Sequence, residues 1–186
     1  DKPNERCTQE ISITIENNFI AMSNGYVADS KDNGDGTYTI TWKQDKPHAP
    51  YLFMMAIGEY AEVKDFYNGM TVNYYVEKEY ENVARQIFGK TPEMIGYFSK
   101  VLGVPYQRDK YWQVVVRDYV SGAMENTTSV IFGDFVQLTE RELLDNDNED
   151  IVSHELFHHW FGDLVTCESW SNLPLNESFA TYGEVM

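Results

Sequence analysis

Strict alternation of apolar and polar residues marks the first third of the chain. The stretches Gln9–Ile15 and Tyr38–Trp42 both alternate, which predicts two half-buried strands. The tract between them contains Asp32-Asn33-Gly34-Asp35-Gly36, and this composition predicts a hairpin turn. The continuous apolar run Tyr51–Ile57 predicts a buried strand.

Helical spacing of apolar residues appears later in the chain, mixed with short β-type runs. One helical stretch extends from Glu79 to Leu102 and is broken at Gly89. Two more helices are predicted, from about Glu149 to Phe161 and from Pro174 towards Met186. Three further short strands are predicted at Met70–Val76, Trp112–Val116 and Ser129–Phe132.

This order of elements predicts an α+β fold with two parts. Residues 1–64 would form the end of a β-rich, sandwich-like N-terminal domain. Residues 65–186 would form a second unit, in which a small sheet is followed by helices. The 186 residues are 42% hydrophobic and 24% charged, which suits a folded chain with a real core.

The net charge is −16, which argues against nucleic-acid binding and against an anionic membrane surface as partners. No apolar run reaches transmembrane length, and no signal peptide is visible. The chain starts at Asp1 and stops at Met186 within a predicted helix, so we expect a fragment of a longer protein. Whether that protein is cytoplasmic or exported, and how it oligomerises, stays open.

Two cysteines, Cys7 and Cys167, are too few for a disulfide scaffold. Because Cys167 follows closely after the predicted helix that starts near Glu149, it is a possible metal ligand or nucleophile. A buried structural thiol is the favoured interpretation.

The predicted helix starting near Glu149 carries the strongest chemical pattern in the chain. His154-Glu155-Leu156-Phe157-His158 matches H-E-x-x-H, which places two imidazoles four residues apart on one helical face. Such a pair can bind one zinc ion, and the carboxylate of Glu155 can act as general base on a metal-activated water. The alternative is an ordinary helix with two solvated or core histidines. His159 lies on another face of the helix and is expected not to be a ligand.

A third ligand must come from another element, because one helical face cannot complete a tetrahedral site. Glu177, on the next predicted helix, is the leading candidate. Two histidines and one glutamate form the ligand set of thermolysin-like zinc sites. The sequence therefore predicts one zinc per chain, bound by His154, His158 and Glu177.

Several motifs in this order resemble the zinc aminopeptidases of the aminopeptidase N type, gluzincins that also include the leukotriene hydrolases. The resemblance is strongest from about Lys110 to Met186. The motifs that carry it are Gly122-Ala123-Met124-Glu125-Asn126, His154-Glu155-Leu156-Phe157-His158, Trp160-Phe161-Gly162 and Trp170-x-Asn172-Leu173-x-Leu175-Asn176-Glu177-Ser178-Phe179-Ala180.

The resemblance implies that residues 65–186 are the first half of a thermolysin-like (zincin) catalytic domain. It also implies hydrolysis of the first peptide bond of peptides with a free N-terminus. Gly122, Ala123, Met124, Glu125 and Asn126 would line the substrate, with Glu125 binding the α-amine and Gly122 and Ala123 pairing with the peptide backbone.

Further implications concern residues around the metal. Glu184 shares a helical face with Glu177 and could support a metal ligand through a hydrogen bond; a solvated position is an equal alternative. The family's transition-state-stabilising tyrosine would lie beyond Met186, since Tyr182 is too close to Glu177. A fragment is therefore expected to hold the metal but to lack part of the catalytic machinery. Which N-terminal residue the enzyme prefers in its substrates stays open.

Three alternatives to an aminopeptidase remain at this point. A family member with epoxide hydrolase chemistry would use the same zinc site. An endopeptidase would not need Glu125. A zinc-stabilised, non-catalytic peptide-binding module would not need Glu155.

Overall fold

The computed structural model describes residues 2–186 and has the predicted α+β architecture. Four α-helices are present among these residues: α1 (Ala84–Phe88), α2 (Thr91–Leu102), α3 (Glu149–Phe157) and α4 (Pro174–Glu184). The strands are β1 (Cys7–Glu16), β2 (Ile20–Ser23), β3 (Tyr26–Asp32), β4 (Thr37–His48), β5 (Met55–Gly58), β6 (Tyr60–Val63), β7 (Phe66–Tyr67), β8 (Met70–Thr71), β9 (Tyr74–Glu77), β10 (Trp112–Val116), β11 (Ala123–Met124) and β12 (Ser129–Gly133).

A three-stranded antiparallel sheet, ordered β1-β4-β3, contains both of the alternating stretches. Ile13 and Trp42 point into the core, whereas Ser12 and Thr41 face outward and are hydrogen-bonded across the strands at 2.8 Å. The predicted hairpin turn between β3 and β4 is confirmed, since Asn33 N–H donates to Thr37 O. Neither β2 nor β3 was predicted, and β3 is exposed along its whole length, so it has no apolar periodicity.

Two predicted strands are wrong in their extent. The run Tyr51–Ile57 begins as a 3₁₀ turn, Pro50–Leu52, because Pro50 cannot donate to a strand ladder; β5 starts only at Met55. The run Met70–Val76 is divided into β8 and β9. β5 pairs with β2 in a small antiparallel sheet.

The five-stranded sheet that positions the candidate site has the order β11-β12-β10-β9-β6. Its three inner strands run parallel, and β11 and β6 are antiparallel edges. Apolar side chains from this sheet and from α1, α2 and α3 form the largest core, which includes Tyr74, Phe88, Phe98, Phe132 and Leu156. The domain division near residue 64 stays a prediction; β6, which precedes it, pairs with β9.

All three predicted helical regions contain α-helices, with corrected ends. The stretch from Glu79 begins as a 3₁₀ turn, and Gly89 separates α1 from α2 as predicted. α3 ends at Phe157 instead of Phe161, because the next amides bond to carbonyls three residues back: His159 N–H donates to Leu156 O and Trp160 N–H to Phe157 O.

Helices α3 and α4 pack directly against each other beside the β11 edge of this sheet. α4 begins with Pro174 in its first turn, where the missing N–H costs nothing. Within residues 2–186, no helix has both the length and the apolar character that crossing a bilayer requires.

Candidate active site

The two histidines of the H-E-x-x-H motif meet at the end of α3. His158 is the capping residue, and its N–H still donates to His154 O, so the two side chains share one face. The two Nε2 atoms are 3.1 Å apart. The two imidazole rings lie edge to face, and their Nε2 atoms meet at one point near the end of α3.

Glu177 reaches the same point from α4. Its Oε2 lies 3.4 Å from His154 Nε2 and 3.6 Å from His158 Nε2. Ligand atoms bound to zinc at about 2.0–2.1 Å in a tetrahedral arrangement lie roughly 3.3 Å from one another. The three side chains therefore fit the ligand set of a zinc ion.

The other imidazole nitrogens have acceptors behind them. His154 Nδ1 is 2.6 Å from Glu184 Oε1, and His158 Nδ1 is 3.0 Å from Phe161 O. Each Nδ1 can donate its hydrogen to that acceptor, which leaves the Nε2 lone pair directed towards Glu177. Glu184 thus contacts a candidate ligand and does not occupy a merely solvated face.

The carboxylates make this region favourable for positive charge. Burial opposes protonation of His158, but the carboxylate of Glu177 at 3.6 Å and the charge of Glu125 outweigh it and raise the pKa of His158 to about 9. The neighbouring imidazoles of His154 and His158 lower the pKa of Glu177 well below its ordinary value. A cation between these groups would replace the protons that the histidines otherwise attract.

Glu155 lies beside the ligand set and is only 5% exposed. Its Oε2 is buried without a hydrogen-bond partner among residues 2–186. Burial raises the pKa of Glu155 to about 8, and the charge of Glu125 adds to that effect. A carboxyl group with a pKa near neutrality can both accept and return a proton.

Glu125 follows the edge strand β11 and is also buried. Oxygen atoms of Glu125 and Glu155 and a ring nitrogen of His158 lie within 4.8 Å of one another. β11 pairs with β12 on one side only, so its other edge is not hydrogen-bonded within the sheet. Glu125 therefore places a negative charge at one end of this open edge, beside the candidate metal ligands.

A cleft of about 430 Å³ brings most of the predicted site residues together. Its lining includes Ala123, Met124, Glu125, His154, Glu155, His158, Glu177 and Glu184. Asn126 faces away, since its side-chain amide donates to Leu52 O at 3.2 Å. Gly122 contributes a carbonyl that accepts from Gly133 N–H at 2.9 Å. Substrate contacts by Asn126 and Gly122 stay predictions.

Three further residues that line the cleft were missed: Ser121, Asp150 and Ile151. The stretch Asp145–Asp150 before α3 is rich in acidic residues, and from the sequence this composition indicates only a favourable charge at a helix N-terminus. The spacing of Asp150 four residues before His154 was the available indication, because positions i and i+4 share a helical face. Cys167, in contrast, is a buried free thiol outside this lining, as its structural interpretation predicts.

Comparison with known proteins agrees with the motifs. Residues 87–186 match the model of the peptidase family M1 domain. The chain is 30% identical to glutamyl aminopeptidase from Homo sapiens, aligning over all of this chain and 20% of that protein. It is 27% identical to probable aminopeptidase 2 from Sulfurisphaera tokodaii, over 98% of this chain and 24% of that protein.

A third relative, aminopeptidase M1 from Arabidopsis thaliana, is 28% identical over 98% of this chain and 21% of its own length. The chain thus spans roughly a fifth to a quarter of the curated relatives it matches. The family match covers more than half of the chain and includes every residue of the candidate metal site. The resemblance expected from the motifs is therefore confirmed: this chain belongs to peptidase family M1.

Proposed function

We propose that this chain carries the metal centre and the amine-binding edge of a zinc-dependent aminopeptidase. The single observation that supports this best is that the His154, His158 and Glu177 ligand set lies in one cleft with buried Glu125. The relatives named above are called aminopeptidases, which favours this function over epoxide hydrolysis. The substrates would be peptides with a free N-terminus.

His154, His158 and Glu177 would hold one zinc ion. When bound, zinc polarises the scissile carbonyl and lowers the pKa of water from about 15.7 towards about 7. Glu184 and the carbonyl of Phe161 would keep the two imidazoles in the ring orientation that presents Nε2.

Glu155 would move the proton during hydrolysis. Its carboxylate takes a proton from the attacking water as the new C–O bond forms at the scissile carbonyl. The same proton then goes to the nitrogen of the departing amine as the C–N bond breaks. The products are the released N-terminal amino acid and a peptide shortened by one residue. The position of Glu155 supports this assignment, because it is buried beside the ligand set and its Oε2 has no hydrogen-bond partner among residues 2–186, so that oxygen is free to accept a proton from water in the cleft.

Glu125 would select substrates that begin at the cleft. A buried carboxylate pairs favourably with the ammonium of a free N-terminus, and an acetylated N-terminus would leave that charge unpaired. The open edge of β11, at Ala123 and Met124, can pair with the backbone of an extended peptide. A non-catalytic peptide-binding module could use both of these features, but it would not require the buried carboxyl group of Glu155 beside the metal ligands.

The test is hydrolysis of an aminoacyl anilide by the complete protein, compared with its N-acetylated counterpart. We expect cleavage of the free anilide only, loss of activity with a chelator, and recovery when zinc is added back. Glu125→Gln should raise KM for the free anilide more than it lowers kcat. Equal cleavage of the acetylated anilide would rule out the exopeptidase assignment, and full activity after chelation would rule out the metal.

A further inference from the structure

The segment that follows Glu125 has an unusual backbone. Thr128 has a φ of 70°, in the left-handed region that β-branched residues rarely adopt. Ser129 N–H donates to Asn126 O at 3.0 Å, which closes a tight turn around it. Thr128 is buried, so solvent cannot satisfy its backbone groups. Such strain, of order 1–3 kcal/mol, persists only where surrounding contacts fix it, and it often occurs at functional sites.

One of those contacts comes from the helix that carries the metal ligands. Thr128 N–H donates to His159 Nε2 at 3.1 Å. Because Nε2 is the acceptor, the ring hydrogen lies on Nδ1, which is 3.3 Å from Glu155 O and donates to it. The two ring nitrogens of His159 therefore link the backbone of Glu155 to the backbone three residues beyond Glu125.

The ring of His159 is also fixed by its neighbours. It packs against Tyr106 and Tyr111, with ring centroids 5.5 Å and 4.9 Å away. With the ring held in this way, the separation between the Glu155 and Thr128 backbones cannot change freely. His159 thus acts as a rigid spacer between two segments that each carry a carboxylate of the cleft.

The opposite side of the same segment is held by the N-terminal part of the chain. Asn24 Nδ2 donates to Thr127 O at 2.7 Å and to Leu52 O at 3.0 Å. Gly25 N–H donates to Thr128 Oγ1 at 2.8 Å. Thr127 and Thr128 are consequently bound from both sides, which is the arrangement that a strained backbone requires.

We propose that His159 is a positioning residue for amine recognition: it fixes Glu125 relative to Glu155, so that an α-ammonium and a scissile carbonyl are placed together. This inference rests on the proposed aminopeptidase function. Its physical basis is that a misplacement of about 1 Å in an active site can cost on the order of 100-fold. Zinc binding should be retained when the ring is replaced, because both hydrogen bonds of His159 go to backbone atoms and neither goes to a side chain of a metal ligand.

Two variants separate the hydrogen bonds of His159 from its bulk. His159→Phe keeps an aromatic ring between Tyr106 and Tyr111 but cannot bond to either backbone. His159→Gln offers one acceptor and one donor, with a separation similar to that of the ring nitrogens, and can restore both bonds. Tyr111→Phe is the matched control, because it alters the same aromatic pocket and leaves the two hydrogen bonds intact.

The readout is calorimetric binding of two hydroxamates to the zinc-loaded complete protein. One is an aminoacyl hydroxamate and the other is the same compound without its amine; both can bind zinc through the hydroxamate. The affinity ratio of the pair isolates recognition of the amine. If His159 had a merely structural role, replacing it would weaken the binding of both compounds equally and leave the affinity ratio unchanged.

We expect the wild type, Tyr111→Phe and His159→Gln to prefer the aminoacyl compound. In His159→Phe, the affinity ratio should fall by about 10-fold or more while zinc stays bound. An unchanged ratio in His159→Phe would overturn the inference. If His159→Phe does not fold, His159→Leu takes its place, because leucine also removes both hydrogen bonds, and an unchanged ratio in that variant would overturn the inference equally. A wild type without any preference would instead refute the amine recognition proposed for Glu125.

Discussion

At the scale of single residues, the candidate metal site depends on an acceptor behind each histidine. Glu184 lies 2.6 Å from His154 Nδ1, so it fixes which ring nitrogen carries the hydrogen. Acceptors of this kind orient a ligand and raise its basicity. We therefore expect Glu184 to affect zinc affinity without being one of the three proposed ligands.

Removing that charge should weaken metal binding. Glu184→Gln is expected to reduce zinc affinity about 10- to 100-fold, as loss of such an acceptor typically does. Competition with a zinc chelator measures the change, and Glu168→Gln, an exposed glutamate outside the cleft, is the matched control. Equal affinities for the two variants would show that Glu184 does not support His154.

Replacing Glu155 should instead reduce activity and leave zinc binding intact. Glu155→Gln is expected to retain zinc, because the proposed ligand set does not include its carboxylate. Hydrolysis of an aminoacyl anilide should fall by about 100- to 10,000-fold, the usual contribution of a general base. Zinc content and kcat are measured on the same preparation. Substantial activity in the zinc-loaded variant would refute the assignment of Glu155 as the base.

At the scale of elements, the distance between α3 and α4 sets the distance between the ligands. Gly183 faces Phe157 at this contact, and a Cβ at position 183 would lie 2.7 Å from Phe157 Cγ. Ser153 Oγ donates to Gly183 O at 3.0 Å and joins the helices at the same level. A side chain here must therefore push α4, and with it Glu177, away from α3.

Gly183→Ala should accordingly lower both stability and zinc affinity. We expect a loss of about 1–3 kcal/mol in the free energy of unfolding, the usual cost of overpacking. Gly103→Ala is the control, because its φ of 66° also disfavours alanine but open space surrounds it. The control should lose stability and keep its zinc affinity. If both variants bind zinc as the wild type does, the spacing of the helices does not limit the site.

Elements with one buried face could be predicted from the sequence, because their apolar residues recur with the period of the strand or helix. β1 and β4 alternate in sequence because one face of each strand is buried, with Ile13 and Trp42 on that face. The turn between β3 and β4 was predicted from its glycines. β3 was missed because it is exposed and polar throughout. The predicted end of α3 was too late in the chain, because the apolar residues after His158 lie in a turn and not in the helix.

Only part of the candidate site could likewise be predicted from the sequence. His154, His158 and Glu177 were predicted because helical spacing and a following helix suffice to bring them together. The contact between His159 and Thr128 could not be predicted, because it joins positions 31 residues apart through a strained backbone. Long-range contacts of this kind depend on how the sheet and helices pack, which periodicity does not encode.

For the molecule as a whole, buried neutral histidines should make stability depend on pH. His48 is fully buried, and burial, reinforced by the charges of Arg108 and Arg6, lowers its pKa to about 4. The unfolded chain, with a histidine pKa near 6.5, binds more protons between these values, so stability falls as pH decreases from about 6.5 to about 4.

His48→Phe should flatten this dependence, since phenylalanine takes up no proton and can keep the packing against Phe53. The difference in slope should approach about 1.4 kcal/mol per pH unit in that range. Urea unfolding at several pH values measures it, and loss of metal at low pH contributes equally to both proteins. Parallel pH profiles would show that His48 is not held neutral in the folded state.

We propose above all that His154, His158 and Glu177 together bind one zinc ion. Elemental analysis of the dialysed protein by inductively coupled plasma mass spectrometry tests it most directly, with Glu177→Ala analysed alongside the wild type. We expect one zinc per chain in the wild type and a large loss in Glu177→Ala, because two histidines alone leave the site incomplete. A wild type without zinc, or a Glu177→Ala variant with full zinc content, would contradict the claim.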